Sequence, residues 1–124
     1  MKSLLMLLTA LFMISNSALV AQVTMEHRFE SVGNDEFKEA LASGDFILLD
    51  IRTIEEFKEG NIKGAKLIEY NGGDMDAEFE KLSKNHSYLV YCTVGVRSKV
   101  AMERMKELGF HYVLELDKGI KEWE

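Results

Sequence analysis

Two short apolar stretches, FILLD at 46–50 and SYLVYC at 87–92, constrain this chain most. Their uninterrupted apolar character reads as strands covered on both faces, the arrangement of a parallel sheet. Helical patterns alternate with them. NDEFKEALASG, 34–44, predicts an amphipathic helix with Asn34 as N-cap, Phe37 and Leu41 on one face, and Gly44 as its stop. In TIEEFKEG, Thr53 and Glu56 have capping-box spacing, which predicts a helix over 54–59 ending near Gly60. AKLIEY, 65–70, predicts a brief strand. DMDAEFEKLSK, 74–84, places Met75, Phe79 and Leu82 at helical spacing behind an Asp74 cap. Then come a helix closed by Gly109, the strand YVLEL, and a final short helix in DKGIKEWE. Such alternation predicts an α/β domain with a mostly parallel sheet and helices on both faces.

The chain has 124 residues, enough for one domain. Lys2 is followed by an apolar run from Leu4 to Ile14 and a small-residue tail, which reads as a secretory signal over 1–21, cleaved after Ala21, with Ser17 as a rival site. An uncleaved N-terminal anchor is the alternative. The domain is then 22–124 and the protein exported, to a periplasm where an outer membrane exists. Without Lys2 the domain holds 14 Lys plus Arg against 21 Asp plus Glu, a net charge of −7, which argues against a nucleic-acid partner.

Cys92 is the only cysteine, so no internal disulfide can form. It sits at the carboxyl end of a predicted strand, where open α/β sheets hold their ligands. The loop 93–97 runs into a helix, and its backbone N–H groups together with the helix N-terminus favour an anion. Gly95 permits an unusual turn and Arg97 adds positive charge, so the thiol should ionise readily. The alternative is a cysteine that packs as a small hydrophobe. His27, His86 and His111 are dispersed and offer neither a base for a Cys/His hydrolase nor a zinc spacing; no metal or cofactor is implied. Met102, Met105 and Leu108 read as the core face of the helix after the loop, and Trp123 as a packing anchor.

Three segments carry a family resemblance. CTVGVRS, 92–98, resembles the C-x-x-G-x-R-S active-site loop of rhodanese-like sulfurtransferases. LLDIRTIEEFKEGNIKGA, 48–65, and GFHYVLELDKGIKEW, 109–123, resemble that family's upstream and closing motifs, in order and at the right spacing. The resemblance is to small, single-domain exported members and implies a central sheet of five strands. It also implies that Cys92 takes a sulfane sulfur from a thiosulfate- or polysulfide-type donor, becomes a persulfide, and passes the sulfur to cyanide or a thiol, including a protein thiol. Thr93, Val94, Gly95, Val96, Arg97 and Ser98 would form the substrate cradle. Asp50, Arg52 and Glu56 would be the polar framework beneath it, with Arg52 and Glu56 spaced to pair. Departures are Asn61 for the usual histidine, no proline after Ala65, and Lys118 for the first glycine of the closing pair. Thr93 and Val94 leave the loop less cationic than versions with arginine there, which bears on thiosulfate preference. A non-catalytic sulfur carrier or redox module is the main alternative. A thiolate phosphatase or arsenate reductase fits less well, because four residues rather than five separate Cys92 from Arg97.

Overall fold

A computed structural model describes residues 26–71 and 73–124; the signal segment expected over 1–21 lies outside them. Five strands, β1 (Arg28–Val32), β2 (Phe46–Asp50), β3 (Lys66–Leu67), β4 (Ser87–Tyr91) and β5 (Tyr112–Leu116), form one sheet. Four helices accompany them: α1 (Asn34–Ser43), α2 (Ile54–Glu59), α3 (Met75–Glu80) and α4 (Val96–Glu107), with a closing 3₁₀ turn over Ile120–Glu122. The strand order is β1-β5-β4-β2-β3, and every pairing is parallel.

Alternation along the strands creates two cores. Tyr88, Val90, Cys92 and Val113 point to the face covered by Phe79 of α3 and by Ala101, Met102 and Met105 of α4. Leu48, Leu89, Tyr91, Leu114 and Leu116 point to the other, covered by Phe37, Ala40 and Leu41 of α1 and by Ile120 and Trp123. Trp123 meets Phe37 edge-on, with ring centroids 5.6 Å apart, as a packing anchor should. With apolar layers on both sides, strands need apolar residues at successive positions, which is why FILLD and SYLVYC do not alternate.

From β2 the chain moves outward to β3, and from β4 it moves the other way to β5. The switch point thus lies between β2 and β4, and their carboxyl ends flank the crevice.

Several expected boundaries change. Gly33, not Asn34, is the N-cap of α1; Asn34 is the first helical residue and its Nδ2 donates to the Glu122 carbonyl. Asp74 stands at the N-cap of α3 without a side-chain cap bond, and α3 stops at Glu80 rather than continuing to residue 84. The strand expected over 65–70 shortens to Lys66–Leu67, although the Ile68 and Tyr70 amides still bond to Asp50 and Ile51 carbonyls. The final helix is a 3₁₀ turn. The fifth strand is β1, whose RFESV sequence exposes Glu30 and Ser31 and carries no strong apolar pattern. Its partner β5 aligns it, from Arg28 beside Tyr112 to Val32 beside Leu116.

Leu89 is fully buried at the sheet centre, between Leu48 and Leu114 in register. Leu89→Ala should destabilise the fold by about 2–5 kcal/mol through lost burial and a residual cavity. Urea denaturation should show a lowered midpoint with an unchanged slope.

Candidate active site

Cys92 follows β4 directly, and its side chain is 1 % exposed. The next residues turn sharply into α4: Gly95, with φ +86°, is the N-cap and Val96 begins the helix. That turn wraps backbone donors around the sulfur. The Gly95 amide donates to Sγ at 3.2 Å and the Ser98 amide at 3.4 Å, while Ser98 Oγ lies 3.4 Å away. Burial pushes the thiol pKa up, but the hydrogen bond it shares with the Ser98 side chain and those from the Ser98, Val94 and Gly95 amides outweigh it. The net result is a pKa below the ordinary cysteine value. A twelve-residue helix aimed at the sulfur by its N-terminus acts in the same direction.

A Cβ on Gly95 would lie 2.0 Å from the Asp117 carbonyl oxygen, so only glycine fits. A Cβ on Gly119 would lie 2.2 Å from the Thr93 carbonyl oxygen. These close approaches lock the loop to the closing turn, where the Ile120 amide donates to the Cys92 carbonyl at 2.9 Å and the Lys121 amide to the Thr93 carbonyl at 3.1 Å. Lys118 is exposed beside this contact and has no positive φ, so a side chain there costs the backbone nothing.

Glu56 braces the other flank. The capping box forms as expected, with the Glu56 amide donating to Thr53 Oγ1 and the Thr53 amide donating to Glu56 Oε1. The same carboxylate accepts both guanidinium nitrogens of Arg97 at 2.8 Å and the Thr93 hydroxyl at 2.6 Å. Arg97 beside it holds the Glu56 carboxyl far below the usual carboxylate range; burial opposes, and Thr93 reinforces. Arg52 does not pair with Glu56. It lies ahead of the helix, where the buried Asp50 captures it with Nη2 to Oδ2 at 2.7 Å, and it donates to the Gly60 carbonyl at 2.6 Å. Its guanidinium carbon sits 5.6 Å from the Tyr91 ring centroid. Asp50 and Arg52 thus tie the end of α2 to the sheet, while Glu56 alone touches the loop. Asn61 donates to the Phe57 carbonyl and caps that same helix end.

Val94 and Val96 are the exposed residues of the loop, at 51 % and 67 %. A shallow depression of about 430 Å³ opens beside it, lined by Arg52, Glu56, Glu59, Gly60, Asn61, Thr93 and Ile120. Among the described residues, no histidine bonds to Cys92. His27 and His111 instead meet each other at 2.9 Å, at the starts of β1 and β5 and thus at the opposite edge of the sheet. No group of three metal-ligating side chains occurs among the described residues.

One site residue escaped the sequence reading. Glu115, fully buried in β5, accepts the Ser98 hydroxyl at 2.6 Å and that of Ser31, and its Oε1 lies 3.1 Å from Lys99 Nζ. The available signal was a lone acid inside the strand YVLEL, on the face shared with Val113.

A rhodanese-like domain model matches residues 33–124. Among curated proteins, a putative sulfur carrier protein of Bacillus subtilis is 27% identical over 108 residues, covering 87% of this chain and 53% of the relative. The mouse thiosulfate sulfurtransferase/rhodanese-like domain-containing protein 3 is 33% identical over 100 residues, covering 71% of this chain and 64% of the relative. Several tRNA uridine(34) hydroxylases match as well, and this chain spans about half or less of the first relatives' length. Among solved structures, a rhodanese-like domain protein from Staphylococcus aureus superposes with TM-score 0.68 at 29% identity, covering 77% of this chain and 91% of that one. A human single-domain sulfurtransferase superposes with TM-score 0.63 at 25% identity, over 75% and 93%.

The Glu56–Arg97 pair has a signed pH dependence. A carboxyl whose folded pKa lies below its unfolded value of about 4.3 stabilises fully above that value and loses its contribution as pH falls towards the folded pKa. Glu56→Gln should therefore cost about 1–2 kcal/mol at neutral pH. The deficit should shrink as pH drops below about 4. Urea titrations of both proteins across this range check it, and a deficit independent of pH would exclude the ion pair as the source.

Proposed function

Because the chain belongs to the rhodanese-like domain family, we propose that it is a sulfurtransferase that moves a sulfane sulfur through a persulfide on Cys92. The observation that carries this reading is the sulfur itself, set at the end of β4 and met by the amides of Gly95 and Ser98 at the head of α4.

The chemistry follows from that placement. The Cys92 thiolate attacks the outer sulfur of a thiosulfate- or polysulfide-type donor. A new S–S bond forms, the donor's own S–S bond breaks, and its electron pair leaves with sulfite or the shortened polysulfide. The persulfide anion takes the place of the thiolate before the same backbone donors, which are already oriented and need no rearrangement. Cyanide or a thiolate then attacks the outer sulfur, giving thiocyanate or a new persulfide and returning the Cys92 thiolate. Thr93, Val94, Gly95, Val96, Arg97 and Ser98 shape the cradle; Glu56 fixes Arg97 and Thr93, and Asp50 with Arg52 holds the end of α2 beside them. A four-residue interval between Cys92 and Arg97 encloses a smaller space than the five of thiolate phosphatases, which favours a sulfur atom over a phosphate group.

A carrier function is the second reading, supported by the putative sulfur carrier among the relatives. There Cys92 would load and hand its sulfur only to a partner protein's thiol. Export to a periplasmic compartment belongs to the proposal too, supported by the apolar run from Leu4 to Ile14, and terminal sequencing of the recovered protein should begin at Gln22.

Incubation with thiosulfate or polysulfide should add the mass of one sulfur atom to Cys92, and cyanide should remove it with release of thiocyanate. Cys92→Ser should abolish both steps. Sulfur transfer that survives in the variant rejects the assignment, and a persulfide that forms yet resists cyanide favours the carrier.

A further inference from the structure

Glu115 is a full carboxylate inside the sheet, in register beside Ser31 of β1 and facing α4. Burying a charge is costly unless its oxygens are satisfied, and here they are. Oε1 accepts the Ser31 hydroxyl and meets Lys99 Nζ, which also pairs with Asp117 Oδ1 at 2.9 Å. Oε2 accepts the Ser98 hydroxyl at 2.6 Å. That last bond matters for the sulfur. A hydroxyl has one proton, and Ser98 gives it to Glu115, so what its oxygen turns towards Cys92 is a lone pair. The thiol can donate to that lone pair across 3.4 Å. Cys92, Ser98 and Glu115 thus form a continuous chain from thiol to carboxylate, sealed from water by the burial of all three.

We propose that Glu115 accepts and returns the proton of the Cys92 thiol through the Ser98 hydroxyl. The proposal rests on the reading of Cys92 as the nucleophile and supplies the base that no histidine provides. In the forward shift the S–H bond breaks and its proton joins Ser98 Oγ; the former hydroxyl proton leaves Oγ for Oε2 of Glu115. Net charge within the chain of groups is unchanged. Afterwards the thiolate accepts from the Ser98 hydroxyl as well as from the Gly95 and Ser98 amides. Neutral Glu115 donates back to Ser98 Oγ, while its carbonyl-like Oε1 keeps Ser31 and Lys99. When the acceptor has taken the outer sulfur, the reverse shift restores the thiol. Glu115 touches no substrate; it acts through Ser98. The other charged group facing the sulfur, Arg97, is paired with Glu56 and takes no proton.

The test is the pH dependence of Cys92 alkylation by iodoacetamide in the full chain, which needs no sulfur donor. With one proton shared between thiol and carboxylate, a fixed fraction is thiolate at any pH between the two titrations. Wild-type reactivity should therefore fall with pH and then level off. In Glu115→Gln the level region should vanish, with rates dropping about tenfold for each further pH unit; in Ser98→Ala, where the thiolate loses the hydroxyl that bridges it to Glu115, the level region should sit at least about tenfold lower. Glu115→Gln keeps the side chain's shape and leaves Lys99 paired with Asp117; should it fail to fold, the height of the level region in Ser98→Ala decides, because Glu115 then keeps Lys99 and Ser31. A level region that persists in Glu115→Gln, or that stays at the wild-type height in Ser98→Ala, overturns the proposal, as does its absence from the wild type. A level region in a protein that transfers no sulfur would uphold the relay and reject the proposed function.

Discussion

Two glycines without room for a side chain hold this site together. The loop after β4 and the turn after β5 approach so closely that Gly95 abuts the Asp117 carbonyl and Gly119 abuts the Thr93 carbonyl. Both residues have positive φ, at +86° and +70°. Everything around the sulfur depends on this interlock. It bends the chain so that consecutive amides converge on Cys92, starts α4 with its N-terminus towards the sulfur, and lets the closing turn donate to the Cys92 and Thr93 carbonyls. Parallel pairing of β4 with β5 makes the approach possible, because both strands end at the same edge of the sheet.

Much of this was legible in sequence, and for identifiable reasons. Strands covered on both faces announce themselves by unbroken apolar runs, and local chemistry such as the Thr53–Glu56 box needs only neighbours in the chain. What depends on partners distant in sequence was harder. β1 is polar enough to pass for a loop, and its pairing with β5 alone makes it a strand. The expected Arg52–Glu56 pair borrowed a helical rule for a residue that precedes the helix; α2 begins at Ile54, and Asp50, two residues earlier, reaches Arg52 first. Glu56 was read as a cap and as part of the framework, and it does more than either because Arg97, 41 residues away, folds onto it. Asn34 is a good cap residue that gives its side-chain amide to the Glu122 carbonyl in the closing turn instead, leaving Gly33 to start the helix.

Charge around the sulfur is arranged in an instructive way. The two cations closest along the chain, Arg97 and Lys99, are both engaged elsewhere: Arg97 by Glu56 and Thr93, Lys99 by Glu115, Asp117 and the Gly95 carbonyl. Stabilisation of an anion at Cys92 therefore comes mainly from backbone N–H groups and the helix terminus, which are fixed dipoles rather than free charges. Such donors act over short distances. They favour a negative sulfur seated in the cradle without drawing anions from a distance, unlike a loop rich in arginine and lysine.

This division also bears on how a buried carboxyl group can sit one hydroxyl away from a sulfur that the proposed chemistry makes negative. Two adjacent buried charges of like sign repel strongly, and water, which would screen them, is excluded here. The repulsion is avoided if a single proton is always present on one of the two. With the proton on sulfur, Glu115 is charged and matched by Lys99; with the proton on Glu115, the thiolate is matched by the amides of the cradle. Either way one negative charge faces one set of donors built for it, and Ser98, in contact with both, turns its hydroxyl towards whichever group is charged.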